Sequence, residues 1–290
     1  MKPEIIIAGR SIGCGHSCYL IAEIGINHNG DIEIAKRLID KAAECGFDAV
    51  KFQKRTLEIV YTPEDMARLR ESPFGKTNGD LKRGLEFGIE QYREIDRYCH
   101  EKNIHWFCSP WDEKSVDFLE PLKPVCYKVA SASLTDTSLL KRIKATNRPV
   151  ILSTGMSSME EIDCAVATLS GAELMLLHTT STYPSKDEEL NLSVIETLRR
   201  RYNLPIGYSG HEVGVMPSVF AVVGYAACAV ERHVTLDRAM WGSDQAASLE
   251  PRGMELLAKY LRQWRIARGE AAKRVLESEV LIKQKLRRVG

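Results

Sequence analysis

The stretch YLIAEIGINHNGDIEIAKRLIDKAAECGFDAVKFQ, residues 19–53, contains two short apolar runs separated by an amphipathic segment. The runs Tyr19–Ile24 and Ala49–Phe52 are typical of buried strands. Between them, the helical spacing i, i+3, i+4, i+7 is occupied by apolar residues: Ala35, Leu38, Ile39 and Ala42. Asp31 is placed to cap this helix and Gly46 to end it. The stretch therefore predicts a strand–helix–strand unit.

The same alternation continues along the chain. Six further strand candidates follow: His105–Cys108, Cys126–Ala130, Pro149–Leu152, Glu173–His178, Leu204–Tyr208 and Cys228–His233. Helical patterns lie between them, at Gln91–Lys102, Ser158–Leu169 and Leu192–Tyr202 among others. Eight strands alternating with helices over 290 residues predict an α/β fold of the (β/α)8 TIM-barrel type, with a doubly wound open sheet as the alternative. A barrel places functional groups at the carboxyl ends of its strands.

We interpret residues 1–290 as one barrel domain with three additions. Residues 1–17 form an N-terminal, hairpin-like extension, in which Glu4–Ala8 is a candidate strand that closes the bottom of the barrel. The segment Thr56–Phe87 is a long charged insertion, and an insertion of this length commonly covers a site. Residues 268–290 are expected to form a C-terminal helical tail.

Composition argues against several classes of protein. The formal net charge is +1, which gives no global attraction to nucleic acid or to a membrane surface. We find no apolar stretch as long as a membrane span and no export signal at the amino terminus. The eight cysteines include no CxxC pair, and several lie in apolar runs, which favours reduced thiols and a cytoplasmic location.

Polar residues stand where the predicted strands end. In chain order the ends carry Glu23, Lys51 with Gln53, Ser109, Lys128 with Ser131, Ser153, Ser181 with Tyr183, Ser209 with His211, and Glu231 with His233. A single such residue is as easily a satisfied structural group as a functional one. Eight ends together predict a site at the mouth of the barrel.

Two lysines on different strands would meet in that mouth. Lys51 and Lys128 would together attract an anion such as a phosphate or a carboxylate. Hydroxyls such as those of Ser131, Ser153 and Ser209 would add neutral donors. The alternative is that one lysine forms a Schiff base, with the pKa of that lysine lowered by the other.

Two histidines follow the last two strands. His211 and His233 are candidate ligands of a divalent ion, with Glu23 or Glu231 as additional groups, and the alternative is that both rings only bond to neighbouring carboxylates. Mn²⁺, Mg²⁺ and Co²⁺ all suit such a site. His28, in an Asn- and Gly-rich turn, is either a loop cap or a catalytic base.

At these strand ends the sequence resembles the sialic acid (N-acylneuraminate) synthase family. The resemblance rests on ordered motifs along nearly the whole chain: AEIGINHNGD (22–31), VKFQ (50–53), CSPWD (108–112), YKVAS (127–131), LSTGM (152–156), HTTSTYP (178–184), YSGHEVG (208–214), ERHVTLD (231–237) and GSDQAASLEP (242–251). It implies a barrel enzyme that condenses phosphoenolpyruvate with an N-acylmannosamine-type aldose, giving a nonulosonic acid and phosphate.

The resemblance also implies roles for individual residues. Phosphoenolpyruvate would be held by Glu23, Lys51, Gln53, Ser109, Lys128, Ser131, Ser153 and Ser209, and by Ser181, where the family often has asparagine. The sugar would be contacted by Tyr183, Glu231 and Asp244. His211 and His233 would carry the metal, with Mn²⁺ the first candidate. Glu23, Lys51, Lys128, His211 and His233 would be catalytic, and a homodimer or higher homo-oligomer is implied.

Three departures from the family pattern bear on the sugar. Gly210 stands where an Asp usually precedes the metal histidine, and Ser133 stands where an acidic residue is common. The sequence ends at Gly290, where family members usually continue into an antifreeze-like domain that caps the sugar. Three expectations stay open: the sugar differs, another group closes the site, or the chain is a barrel-only member. The insertion, with Arg68, Arg70 and Lys76, is a candidate replacement for that cap.

Two other functions compete with this one. A lysine Schiff-base pyruvate aldolase or lyase would use Lys128 and leave His211 and His233 without a role. A non-catalytic sugar-binding barrel would be expected to lack several site residues, and most of them are present. The phosphorylation state of the sugar is not specified by any of these motifs.

Overall fold

The computed structural model describes residues 3–289, so that residues 1 and 2 of the extension and residue 290 of the tail lie outside the described residues. Its strands are β1 Glu4–Ile7, β2 Arg10–Gly13, β3 Tyr19–Gly25, β4 Ala49–Lys54, β5 Leu69–Ser72, β6 Gly75–Thr77, β7 His105–Pro110, β8 Tyr127–Val129, β9 Val150–Ser153, β10 Leu174–Thr179, β11 Ile206–Gly210 and β12 Ala229–His233. The helices are α1 Ile32–Cys45, α2 Leu57–Val60, α3 Pro63–Ala67, α4 Asn78–Leu85, α5 Ile89–Glu101, α6 Glu113–Leu119, α7 Thr137–Lys144, α8 Met159–Thr168, α9 Val194–Tyr202, α10 Met216–Tyr225, α11 Pro251–Arg268 and α12 Glu277–Leu286.

Eight of the strands close into a parallel barrel. Their order around the barrel is the order of the chain, from β3 and β4 through β7–β12, and β12 pairs with β3. These are the eight strands predicted from sequence, with bounds that differ by one or two residues. The barrel prediction is confirmed, and the open sheet is excluded because no edge strand is left between β12 and β3.

The first strand–helix–strand unit forms as its sequence predicts. The Asp31 side chain accepts a hydrogen bond from the backbone of Glu33 at the start of α1. Gly46 ends the helix with φ +82°, a left-handed conformation that favours glycine. The apolar face of α1 is buried against the barrel, so that α1 returns the chain to the start of β4.

The amino-terminal hairpin fills the bottom of the barrel, as expected. Strands β1 and β2 pair antiparallel, and Ile5, Ile7 and Ile12 pack among barrel residues such as Ile21 and Phe107. Burying an isoleucine side chain contributes about 1.5–3 kcal/mol. The hairpin therefore closes this end of the barrel core, and a cavity lies at the carboxyl ends of the strands.

The insertion and the tail lie outside the barrel. The insertion folds into α2, α3, the β5–β6 hairpin and α4, which lie next to the barrel mouth. After α11, residues 269–289 form α12 and exposed coil. Between residues 3 and 289, no helix is both long and apolar enough to cross a membrane. All eight cysteines are free thiols.

Candidate active site at the mouth of the barrel

One cavity of about 320 Å³ opens at the carboxyl ends of the barrel strands. Every residue predicted to bind phosphoenolpyruvate, the sugar or the metal lines it: Glu23, Lys51, Gln53, Ser109, Lys128, Ser131, Ser153, Ser181, Tyr183, Ser209, His211, Glu231, His233 and Asp244. The strand ends converge because all barrel strands are parallel and in chain order. The structure thus brings the predicted set together, and the role of each member stays a prediction.

Two lysines and two carboxylates form the buried floor of the cavity. The Nζ of Lys51 lies 2.9 Å from Oε2 of Glu23 and 3.4 Å from Oε1 of Glu231. The Nζ of Lys128 lies 3.7 Å from the same Oε1 of Glu231. Each of these four side chains is at most 5% exposed. Glu231 is therefore a shared counterion for both lysines.

Burial and pairing compete in setting the pKa values of Lys51 and Glu23. Burial lowers the pKa of Lys51, but Glu23 and Glu231 outweigh it and leave that pKa above its ordinary value. Burial raises the pKa of Glu23 above its ordinary value although Lys51 lowers it, and Glu231 adds to the rise. Lys51 is thus held charged, and Glu23 is the carboxylate that takes up a proton more readily.

Lys128 and Glu231 are shifted in the opposite sense to Lys51 and Glu23. Burial lowers the pKa of Lys128 from 10.5 to about 8, and Glu231 opposes that shift. Burial raises the pKa of Glu231, but Lys128 and Lys51 outweigh it and bring the pKa to about 2. Lys128 therefore carries its charge at neutral pH with little margin and gains from a further anion nearby.

Hydroxyl groups surround the charged floor. Ser109 Oγ accepts a hydrogen bond from Lys51 at 3.1 Å, and Ser209 Oγ donates to Glu231 at 3.3 Å. The Ser131 hydroxyl accepts from the backbone N–H of Gly155 at 3.0 Å. Ser153 Oγ is buried and has no hydrogen-bond partner among residues 3–289. A buried hydroxyl without a partner is a donor available to a ligand.

A glycine just after β9 leaves room for two hydroxyl groups of the site. A Cβ placed on Gly155 would lie 2.2 Å from Ser181 Oγ and 2.8 Å from Ser131 Oγ. Both hydroxyls therefore stand against the backbone of Gly155, and any side chain there would push them out of the cavity wall.

His211 and His233 lie side by side on the neighbouring strand ends. Their ring centroids are 5.5 Å apart, and the Tyr183 ring lies 4.1 Å from that of His211. His211 Nδ1 donates to the carbonyl of Thr180 at 2.7 Å, so its Nε2 keeps a free lone pair. His233 Nδ1 is buried with no hydrogen bond to any described residue, and Asp244 Oδ2 is 3.9 Å away.

The state of these rings suits a metal ion. Burial lowers the pKa of His211 to about 4, and burial likewise lowers the pKa of His233, so both rings are neutral near pH 7. A neutral imidazole with a free ring nitrogen can bind a divalent ion. In His211 the bond to Thr180 fixes which nitrogen is free, and in His233 Nδ1 has no partner among the described residues. Across residues 3–289, no group of three His, Cys, Asp or Glu side chains is arranged as a metal site. Glu23 and Glu231, of which either was a candidate additional group or a group behind the ligands, form ion pairs with the lysines.

Several lining residues were not found from sequence. Arg55 and Trp111 pack together in the wall, with the guanidinium 4.4 Å from the ring centroid, and Arg55 also contacts Glu86 at 3.2 Å. Tyr61 and Lys82 reach the cavity from the insertion. Lys82, five residues after the capping-box Thr77, carries no sequence signal of a site, because it matches an ordinary solvated helix face.

The predicted cap residues of the insertion lie elsewhere. Arg68, Arg70 and Lys76 are exposed and do not line the main cavity, because the β5–β6 hairpin directs them to solvent. The insertion thus borders the site, but through Tyr61 and Lys82.

His28 is a loop cap. Its Nδ1 accepts from the backbone of Gly30 at 3.0 Å, and its ring stacks on Phe87 with a centroid distance of 4.0 Å. Burial lowers the pKa of His28 to about 3. With Nδ1 bonded within its own turn and the ring stacked on Phe87, His28 does not line the cavity.

Comparisons with known proteins agree with this fold. The sequence profile of the NeuB family matches residues 38–273. Human N-acetylneuraminate-9-phosphate synthase is 40% identical over 283 residues, covering 96% of this chain and 79% of its own. N,N'-diacetyllegionaminic acid synthase of Campylobacter jejuni is 36% identical over 268 residues, covering 90% and 80%.

A solved structure shows the same similarity in three dimensions. N-acetylneuraminic acid synthetase from Leptospira borgpetersenii superposes with a TM-score of 0.83 at 31% identity, covering 100% of this chain and 99% of its own. The profile match, the identities and the barrel with its ordered strand-end motifs converge: this chain belongs to the NeuB family.

Proposed function

We propose that this protein condenses phosphoenolpyruvate with an N-acylmannosamine-type or related aldose, either free or phosphorylated, to give a nonulosonic 2-keto-3-deoxy acid and phosphate. Its relatives named above are synthases of acylneuraminic and legionaminic acids. The observation that carries the proposal is the pair of buried lysines, Lys51 and Lys128, in the same cavity as two neutral histidines.

Phosphoenolpyruvate suits the floor of the cavity. It is a compact polyanion with a carboxylate and a phosphate, and it needs two separated cationic centres. Lys51 and Lys128 supply these centres, and Ser153 supplies a donor that is otherwise without a partner within residues 3–289. Beside Lys128, the incoming anion would take the place of the Glu231 carboxylate, whose Oε1 lies 3.7 Å from Nζ and is loosely held.

The aldose would occupy the outer part of the cavity. Tyr183 and Asp244 stand beside the histidines there, and Lys82 stands on the side of the insertion. Bond formation joins C3 of phosphoenolpyruvate to the aldehyde carbon. Water then adds at C2, and cleavage of the C–O bond releases phosphate. In this scheme Lys51 and Lys128 hold the charges of the phosphate and carboxylate while the reacting carbons meet.

A divalent metal ion completes the proposal. His211 and His233 would hold it, with water and substrate oxygens as the remaining ligands, and Mn²⁺ is the first candidate before Mg²⁺ and Co²⁺. Bound there, the ion would supply electrophilic polarisation of the aldehyde oxygen. The Thr180 carbonyl fixes the His211 tautomer, which keeps Nε2 facing the cavity.

A Schiff-base aldolase is the second candidate, and one observation favours it. The pKa of Lys128, lowered to about 8 by burial, is suited to a lysine nucleophile. The two histidines and the second lysine would have no part in that chemistry. Borohydride reduction in the presence of pyruvate separates the two functions, because only the aldolase leaves a covalent adduct on Lys128.

The cellular setting completes the proposal. A cytoplasmic enzyme that acts as a homodimer or higher homo-oligomer fits a family of sugar-biosynthesis synthases. Neither nucleic acid nor a membrane is required by any residue of the site. Sedimentation at several protein concentrations measures the oligomeric state directly.

The decisive experiment measures phosphate release from phosphoenolpyruvate across a panel of aldoses and their 6-phosphates, with Mn²⁺ and after chelation. We expect release to need an N-acylmannosamine-type aldose and to stop on chelation. Oxygen labelling gives the bond that breaks: the bridging oxygen should leave with phosphate. Binding of a sugar without phosphate release would indicate the non-catalytic barrel.

A further inference from the structure

A fully buried ion pair lies directly behind the two histidines. Arg232 precedes His233 on β12, and Glu212 follows His211 just after β11. Arg232 Nη1 donates to Glu212 Oε1 at 2.8 Å, and both side chains have zero exposure. Within the described chain, neither residue belongs to the cavity lining, so the pair touches the site only through the backbone.

The guanidinium also holds the loop that carries His211. Arg232 Nη2 donates to the backbone carbonyl of Glu212 at 2.5 Å, and Nη1 donates to that of Gly214 at 2.7 Å. One side chain on β12 thereby binds three acceptors on the segment after β11. Because arginine presents its donors in a rigid plane, these contacts fix the position of the loop relative to β12.

The carboxylate is held just as completely. Tyr208 donates to Glu212 Oε2 at 2.9 Å, and Ser218 of α10 donates to Oε1 at 2.8 Å. Both oxygens are therefore bonded, and the side chain has one position. The network connects β11, α10 and β12, the three elements around the histidines.

A glycine makes room for this network. Gly210 pairs in register with Arg232, and a Cβ at Gly210 would lie 2.4 Å from Glu212 Oε2 and 2.7 Å from Tyr208 Cε1. The glycine that departs from the family pattern is thus the residue against which the Glu212 carboxylate packs. Any side chain at position 210 would expel the carboxylate from its site.

We propose that Glu212 and Arg232 are positioning residues that set the spacing of His211 and His233, and that Gly210 is required to seat the Glu212 carboxylate. The inference deepens the proposed function and rests on it for the metal. Alternation along a strand explains the arrangement: Glu231 and His233 face the cavity, while Arg232 faces the opposite side. One pair on the outer side thus sets both ligands on the inner side.

The test uses the whole protein and three changes at the pair: Arg232→Met, Gly210→Ala, and the double change Glu212→Leu with Arg232→Met. Calorimetric titration with Mn²⁺ gives affinity, and thermal unfolding gives stability. Arg148→Met is the matched control, because Arg148 pairs with Glu120 at 2.8 Å away from the cavity. Imidazole NMR signals of the metal-free protein report on the two rings independently of metal.

We expect Mn²⁺ affinity to fall about 10- to 100-fold in Arg232→Met and Gly210→Ala, the usual effect of losing a partner that orients metal ligands. The control should lose stability and keep its affinity. The double variant removes both buried charges and should regain part of the lost stability. Its affinity should stay low, since the bonds from the guanidinium to the two backbone carbonyls are absent.

Two results would overturn the positioning role. One is Mn²⁺ affinity within twofold of the unmodified protein in both single variants. The other is affinity that returns with stability in the double variant, which would make the pair merely structural. If the unmodified protein binds no Mn²⁺, the proposed metal site is refuted, and the imidazole NMR signals alone test the positioning role. Shifts of both rings in Arg232→Met and Gly210→Ala then support positioning, and unchanged signals refute it.

Discussion

The charge on Lys128 should control phosphoenolpyruvate binding at alkaline pH. Burial brings the pKa of this lysine from 10.5 to about 8. About nine in ten molecules then carry the charge at pH 7, and about one in ten at pH 9. The second pKa of a phosphate monoester is about 6, so the ligand itself does not change over this range.

The size of the effect follows from that titration. If the ligand binds only the charged lysine, its affinity falls about tenfold between pH 7 and pH 9, or about 1.4 kcal/mol. Binding at pH 9 should also take up close to one proton, because the bound anion raises the pKa of Lys128. At pH 7 the uptake by Lys128 should be small.

Lys128→Met tests whether Lys128 is the group that titrates. Loss of a hydrogen bond to a charged group costs about 1.5–3 kcal/mol, so the variant should bind weakly at pH 7 and equally weakly at pH 9. The exposed Lys123→Met is the control and should follow the unmodified protein.

Titration calorimetry in two buffers with different ionisation enthalpies measures affinity and proton uptake together. Affinity that is constant from pH 7 to 9.5 in the unmodified protein would refute the reasoning. So would a Lys128→Met variant that keeps the full pH dependence, because another group would then be titrating.

Three further predictions concern the carboxylate, the insertion and the histidines. The pKa of Glu231 falls from 4.5 to about 2, so its charge contributes stability above pH 4.5 that is lost as the pH falls towards 2. Glu231→Gln should therefore lower the free energy of unfolding by about 3 kcal/mol at pH 7. In urea titrations, the difference in unfolding free energy between the variant and the unmodified protein should narrow between pH 5 and pH 3. If Lys82 contacts the phosphate of a phosphorylated sugar, Lys82→Ala should raise the KM for an aldose 6-phosphate at least about tenfold and leave the KM for the free aldose unchanged. The exposed Lys76→Ala is the control. Equal effects on both sugars would count against a contact between Lys82 and the sugar phosphate. His233→Gln should abolish phosphate release while phosphoenolpyruvate still binds in calorimetry, and normal turnover would exclude the metal role.

The barrel could be predicted because its signals are local. Each strand is a short apolar run, and each following helix has an apolar stripe with caps, as Asp31 and Gly46 illustrate in α1. Eight strands alternating with helices favoured a closed barrel over an open sheet, and the pairing of β12 with β3 confirms it. A strand in the bottom hairpin was also predictable, because Glu4–Ala8 contains a short apolar run. The bounds shifted by one or two residues because hydrogen bonding, rather than composition, ends a strand.

The site divided into a predictable and an unpredictable part. Residues at strand ends, such as Lys51 and His233, were found because the fold itself directs them to one place. Tyr61 and Lys82 were missed because their approach to the cavity depends on how the insertion folds across the mouth. Glu212 and Arg232 were within quoted motifs but had no predicted role. Their pairing depends on which face of each strand end they occupy, and sequence spacing does not give that across two strands.

The charges on the floor explain why this cavity suits an anion at all. Lys51, Lys128, Glu23 and Glu231 together carry no net charge when all four are ionised. The negative charge of a polyanion that binds there must therefore be compensated. Burial shifts Glu23 and Lys128 towards their neutral forms, since it raises the pKa of Glu23 and lowers that of Lys128. Glu23 is therefore the carboxylate that gains a proton more readily when negative charge arrives, and the anion holds Lys128 in its charged form, while Lys51 stays charged. The carboxylates are thus compatible with an anion site: they favour the charged forms of two buried lysines before the ligand binds, and burial makes Glu23 the one that is more easily protonated.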